Sequence, residues 1–133
     1  MFDNAITLSP SGVSVSIKDT DDGKTVRTYN LGGGNRIDVT ISHTESTENK
    51  GVLSDRYLIR VDRILTEPTS PYAPTKLSSY IVQVVPRRPD VTVELIKVNL
   101  ADCINLLPVV GGDTVVAASQ IDNGLTRLLA GET

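Results

Sequence analysis

The stretch DRYLIRVDRIL, residues 55–65, alternates along almost its whole length: Tyr57, Ile59 and Val61 fall on one side, and Leu58, Arg60 and Asp62 on the other. A period of two marks a β-strand with one face in an apolar interior and the other turned away from it. The charged side either meets water or binds something, and the surrounding chain must supply the distinction.

Upstream, AITL (5–8), SPSG (9–12) and VSVSI (13–17) read as strand, tight turn and strand, with Pro10 and Gly12 in the turn. KDTDDGK (18–24) is a polar turn. TVRTYNL (25–31) is a strand with Val26, Thr28 and Asn30 opposite Arg27, Tyr29 and Leu31. GGGN (32–35) interrupts the chain before RIDVTISHT (36–44), in which Ile37, Val39 and Ile41 line one face and Arg36, Asp38, Thr40 and Ser42 the other. Residues 45–54 form a loop. Downstream, EPTSPYAPTK (67–76) holds three prolines and is excluded from a sheet interior. LSSYIVQVV (77–85) is the last strand, closed by PRRP (86–89).

The period then changes. Val93, Ile96, Leu100, Cys103, Ile104 and Leu107 recur at helical spacing, Thr92 is placed to cap the helix, and Pro108 is expected to end it. Residues 109–119 read as loop or a short extended piece. QIDNGLTRLLAG (120–131) reads as a second short helix, weakened by Gly124 and ended by Gly131. Antiparallel strands followed by terminal helices make an α+β domain whose helices cover the apolar face of the sheet.

At 133 residues the chain is one domain, or one subunit of something larger. It has no Trp and one Phe, so its core is built from aliphatic side chains. Such a core buries limited area, which points to further burial against a second subunit. The net charge of −3 gives no bulk attraction for nucleic acid. A local patch can suffice, however, and Arg27, Arg36, Arg56, Arg60 and Arg63 lie in or beside predicted strands. The single cysteine cannot form an internal disulfide, which fits a reducing compartment. Met1–Asn4 lacks a basic leader and no apolar run approaches the roughly 20 residues of a membrane span, so a soluble, cytoplasmic protein is expected.

Chemistry-bearing motifs are sparse. The three glycines 32–34 lack the Lys-Ser/Thr of a phosphate loop and no helix follows them. His43 has no nucleophile motif beside it and reads as a strand-edge residue. Cys103, on the apolar helix stripe, reads as an inert buried thiol. Asp19, Asp21 and Asp22 lack the terminal Glu of a calcium loop and read as a solvated turn. No His/Cys cluster has zinc spacing. No enzyme, metal, cofactor or small-molecule substrate is therefore expected. The polar sheet face remains, with Asp38, Thr40 and Ser42 on one strand and Leu58, Arg60 and Asp62 on the next. Polar strand faces are most often simply solvated. A helix-backed sheet with its other face open is also what an RNA platform requires, an Arg attracting phosphate and hydroxyls reading base edges.

These features together resemble the coat proteins of single-stranded RNA bacteriophages. YLIRVDR (57–63) has the aromatic–x–aliphatic–basic–aliphatic–acidic pattern of their central strand. SSYIVQVV followed by Pro86 and a helix is similar to their last strand and first helix, and LTRLLAGET (125–133) resembles the tail of divergent members. The resemblance follows the whole chain in order and spacing.

It implies a single coat-protein domain: an N-terminal β-hairpin (5–17), a five-stranded antiparallel sheet (25–85) and two C-terminal helices (92–107 and 120–130) that reach across an intertwined homodimer. Val93, Ile96, Leu100, Ile104, Leu107 and Leu128 would form the dimer interface. Dimers would assemble in a bacterial cytoplasm into an icosahedral virion capsid around a single-stranded RNA genome. The sheet would face that RNA and could bind a hairpin as packaging signal and translational repressor. Carried over position by position, the RNA-facing residues are Asp38, Thr40, Ser42, Leu58, Arg60 and Asp62, joined on the sixth strand by Tyr80 with Val82, or else by Ser79 with Gln83. Asp38 and Leu58 depart from the better-known members, the first replacing a basic residue. Packaging would then rest on shell geometry and many summed, salt-dependent contacts, with loops 45–54, 67–76 and the GGGN turn meeting neighbouring dimers. The competing reading is a small β-rich binding or adhesion module, which would be a monomer without RNA.

Overall fold

A computed structural model describes residues 2–47, 50–66 and 74–133. Six strands form one antiparallel meander in the order β1 (Ala5–Thr7), β2 (Ser14–Asp21), β3 (Lys24–Gly32), β4 (Asn35–Ser46), β5 (Ser54–Leu65) and β6 (Thr75–Pro86). Helix α1 (Val93–Gly111), a 3₁₀ turn (Ala118–Gln120) and helix α2 (Asp122–Leu129) come after them. The α+β class agrees with the sequence reading, but the sheet has six strands rather than five. The N-terminal hairpin is not a separate layer, because β2 continues through the segment read as a polar turn and pairs with β3 as far as Asp21↔Lys24. Asp19 and Asp21 are therefore strand residues, and only Asp22 and Gly23 turn the chain. Gly23 is held there by its left-handed φ of 69° and by the His43 amide, which donates to its carbonyl at 2.7 Å.

The alternation of the central strands is realised in full. Ile37, Val39 and Ile41 stand opposite Arg63, Val61 and Ile59 in an unbroken β4–β5 register. The buried cluster is Val15, Ile37, Val39, Ile41 and Tyr57, closed over by Leu128 of α2, with Leu8, Val13 and Val61 packed at its margin. At about 25 cal/mol per Å² of apolar area removed from water, this small aliphatic cluster is the main stabilising feature of the subunit. The expected second-helix range of 120–130 resolves into the 3₁₀ turn and an eight-residue α2.

Helix α1 begins where the capping signal placed it. The Thr92 hydroxyl accepts the Leu95 amide at 3.2 Å, a bond worth about 1 kcal/mol. The helix does not end at Pro108, which lies inside it. A proline removes one helical bond but does not itself terminate a turn. The stop comes at Gly112, whose φ of 71° lets the Asp113 amide return to the Pro108 carbonyl at 2.8 Å. The helix is thus 19 residues and about 28 Å long. Of those residues only Ile96 and Ala101 are buried in the subunit. Cys103 is exposed rather than buried. No helix among the described residues is long and apolar enough to cross a membrane.

Candidate nucleic-acid interface

The register of β3–β6 defines the face turned away from the helices, row by row. Thr40 stands between Val26 and Arg60, and Arg60 stands opposite Tyr80. The next row is Thr28, Asp38, Asp62 and Ser78; the row on the other side is Lys24, Ser42, Leu58 and Val82. Asp38, Thr40, Ser42, Leu58, Arg60, Asp62 and Tyr80 therefore share one face. The open parity of β6 falls to Tyr80 with Val82, whereas Ser79 and Gln83 lie on the helix side. With neighbouring strands about 4.8 Å apart, Thr40, Arg60 and Tyr80 span roughly 10 Å, a length suited to a few nucleotides.

The carboxylates on this face are not free. Asp62 is 5 % exposed and accepts from Arg60 Nε at 2.8 Å and from the Ser78 hydroxyl at 2.5 Å. Burial on its own would raise this carboxyl; the bonds from Ser78 and Arg60 more than offset that and hold it below the usual carboxylate range. Asp38 accepts from the Thr28 hydroxyl at 2.6 Å and from Arg36 Nε at 3.1 Å. Each acid is thus neutralised by the arginine two positions away on its own strand. Across β3–β6 the face carries the cations Lys24, Arg36, Arg56, Arg60 and Lys76 against the two carboxylates Asp38 and Asp62. The surplus is positive in a chain whose net charge is −3. Its acidic margin lies on β2, where Asp19 and Asp21 stand opposite Val26 and Lys24. A sheet with one cationic region attracts a polyanion locally whatever the sign of the whole chain. Tyr80, 66 % exposed, presents an open ring beside Arg60.

Sequence reasoning did not place Lys24, Thr28, Arg56, Lys76 or Ser78 on this face. Parity along β3, β5 and β6 assigns them once the strand registers are known.

Two other features singled out by sequence, His43 and the glycines 32–34, lie elsewhere. His43 is on the helix side, stacked on Tyr57 with ring centroids 4.8 Å apart and planes 8° from parallel, and 3.2 Å from Asp55. Asp55 also accepts two bonds from Arg87, at 2.7 and 3.0 Å. This is a saturated ion-pair cluster with no nucleophile in it. Gly32, Gly33 and Gly34 all have positive φ, and the turn they form is pinned by Asn35, which accepts the Thr66 amide at 2.6 Å. No group of three or more acidic, His or Cys side chains able to hold a metal occurs among the described residues. Loops 45–54 and 67–76 fall partly outside the described residues, at 48–49 and 67–73.

The six residues expected at a dimer interface divide. Val93 and Leu107 are exposed, at 57 % and 79 %. Leu100 and Ile104 line a cleft of about 480 Å³ between α1, α2 and the sheet. Ile96 is buried beside β6, where its carbonyl receives a long 3.5 Å bond from Gln83. Leu128 packs into its own chain's core.

No model of a known protein family matches this chain, and no curated protein sequence matches it. Among solved structures the chain is similar to the virus-like particle of bacteriophage AVE015. The TM-score is 0.52 with 11 % sequence identity, over 89 % of this chain and 92 % of that one. At that identity the likeness establishes a shared fold.

Proposed function

We propose that this chain is the shell-forming subunit of an RNA bacteriophage capsid, a structural protein without catalytic activity. The fold it shares with a phage virus-like particle supports this. The observation that carries it is the contrast between the two edges of the sheet. The β2 edge beyond the short β1 is guarded by a register shift between Ile17 and Asp19 and by the charges of Lys18, Asp19 and Asp21. The β6 edge is guarded only at its ends, by Lys76 and Pro86: residues 77–85, LSSYIVQVV, carry no charge, and Leu77, Ile81 and Val82 are exposed. A long uncharged edge beside exposed apolar side chains is a pairing surface. A second copy related by a two-fold axis would extend the sheet across it and cover the exposed apolar residues of α1, among them Leu95, Val98, Leu106 and Leu107.

The polar face then becomes the inner lining of the shell. Thr40, Ser42 and Arg60 would contact single-stranded RNA, Tyr80 would stack on an unpaired base, and Asp38 and Asp62 would hold the arginines in place. Leu58, paired with Val82, supplies an apolar floor. Packaging of genomic RNA, and repression of translation through an RNA hairpin, belong to this reading. So do a virion location and assembly in the bacterial host's cytoplasm.

The test is expression followed by size exclusion and electron microscopy. Particles that contain nucleic acid are expected. A monodisperse 14.3 kDa monomer would overturn the proposal.

A further inference from the structure

Arg27 takes no part in the polar face. It lies on the helix side of β3, with no exposed surface. Its guanidinium gathers three main-chain carbonyls from opposite ends of the chain: Nε donates to Asp3 at 3.0 Å, and Nη2 to Phe2 at 3.1 Å and to Thr133 at 3.0 Å. Further polar contacts hold the same segment. The Thr25 and Thr133 hydroxyls are 2.8 Å apart, the Tyr57 hydroxyl donates to the Leu129 carbonyl at 3.2 Å, and Arg127 bonds Glu132 while lying 4.7 Å over the Phe2 ring.

Helix α2 itself is held by Leu125 and Leu128 and by the ion pair of Asp122 with Lys97 of α1 at 2.9 Å. It is eight residues long, has no side-chain cap at its N-terminus, and buries Leu125 and Leu128. A helix this short does not persist by itself in water. Its closure over the sheet therefore rests on these tertiary contacts together with the anchoring of residues 129–133. The same helix and the N-terminal segment wall the 480 Å³ cleft, whose floor is Ile59 and Ile81 and whose far side is Leu100 and Ile104 of α1.

We propose that α2 and residues 129–133 form a lid latched by Arg27, which opens as one unit while the six strands stay folded, and so sets the width of the cleft beneath α1. The latch is all-or-none for a physical reason. Nη1 is buried without a partner, so Nε and Nη2 carry all the hydrogen bonding that offsets the buried guanidinium, and a half-released segment leaves both charge and carbonyls unpaired. Local opening of this kind occurs at lower free energy than global unfolding. The lid stands apart from the capsid reading, since it concerns the single subunit.

Hydrogen–deuterium exchange with mass spectrometry on the full-length protein, in the assembly state in which it purifies, tests it. In Arg27→Met, amides of 122–133 are expected to exchange roughly tenfold faster while β4 and β5 keep their protection. Unchanged protection at 122–133 would overturn the latch. Equal loss of protection in β4 and β5 would overturn it too, by making Arg27 a support of the whole core. Should Arg27→Met not fold, the pair Thr25→Val and Tyr57→Phe removes two latch hydroxyls and leaves the guanidinium in place. Selective acceleration at 122–133 then supports the lid; uniform acceleration, or none, refutes it.

Discussion

Asp38 and Asp62 stand directly opposite each other on β4 and β5. Two carboxylates in that relationship repel across a sheet. The pair persists because Arg36 and Arg60 each bind the acid two residues away, and Thr28 and Ser78 donate from the flanking strands. Arg60 is therefore a structural counter-charge before it is a candidate RNA contact. Arg60→Ala is expected to destabilise the subunit by about 1–3 kcal/mol, because it strips a nearly buried carboxylate of its cation. The double variant Arg60→Ala with Asp62→Ser should recover most of that loss. Urea midpoints of the two variants check it, and equal midpoints would refute the counter-charge role.

It follows that Arg60→Ala is a poor probe of RNA binding and Tyr80→Ala a good one. The Tyr80 side chain is largely in solvent, so its removal should change stability by no more than about 0.5 kcal/mol. If a base stacks on the ring, the substitution should cost about 1–3 kcal/mol of affinity for single-stranded RNA. Fluorescence anisotropy with a short oligonucleotide at fixed salt measures this. Wild-type affinity in Tyr80→Ala would remove Tyr80 from the interface.

Two carboxyls give the subunit an acid limit. Bonds from Arg87 above all, and from His43, hold Asp55 below its ordinary range. At Asp62 the bonds from Ser78 and Arg60 outweigh burial in the same direction. A carboxyl with a lowered folded pKa stabilises fully above its unfolded value, about 3.9, and loses that contribution as pH falls through the folded value. Stability should be level from neutrality to about pH 5 and decline below about pH 4. Asp55→Asn should make the decline shallower. A urea midpoint that stays constant down to about pH 3 would contradict this.

Gly23 and Gly12 separate two costs of left-handed backbone. Both have φ near 70°, but a Cβ at Gly12 meets nothing within 4 Å, whereas one at Gly23 would lie 2.8 Å from the His43 carbonyl oxygen. Gly12→Ala should cost about 1–2 kcal/mol, from conformation alone. Gly23→Ala should cost at least about 3 kcal/mol, because it also displaces the hairpin bond between the Gly23 carbonyl and the His43 amide. Thermal unfolding of the two variants side by side decides it, and similar losses would show that the close approach relaxes freely.

The fold was legible where one local signal settled the structure. Period two in 36–44 and 55–65 gave the central strands and their faces, and Thr92 gave the start of α1. It was illegible where distant partners decide. Arg27 reads as another strand arginine, and only the convergence of Phe2, Asp3 and Thr133 makes it a core residue. Pro108 reads as a stop, but Gly112 offers the cheaper exit. Cys103 reads as core from helical spacing, yet of that stripe only Ile96 is buried in the subunit, and Cys103 stays exposed beside β6. The seven polar-face residues came from strand parity and resemblance. Their arginine–carboxylate pairing needed the register.

Leu77 tests the pairing edge with least disturbance to the subunit. It lies near the start of β6 on the helix side, opposite Arg63, and is 59 % exposed. A lysine there removes no buried contact, so the folded subunit should lose no more than about 0.5 kcal/mol. Its ammonium would nonetheless stand on the edge that a second copy has to approach, and an edge lysine is how sheets block such pairing. Leu77→Lys should therefore yield a folded species of monomer mass by light scattering and abolish particles. Asp19→Ser, on the guarded β2 edge, should leave assembly as it is. Particles that survive Leu77→Lys would move the subunit contact away from β6, and loss of particles in Asp19→Ser would move it to β2.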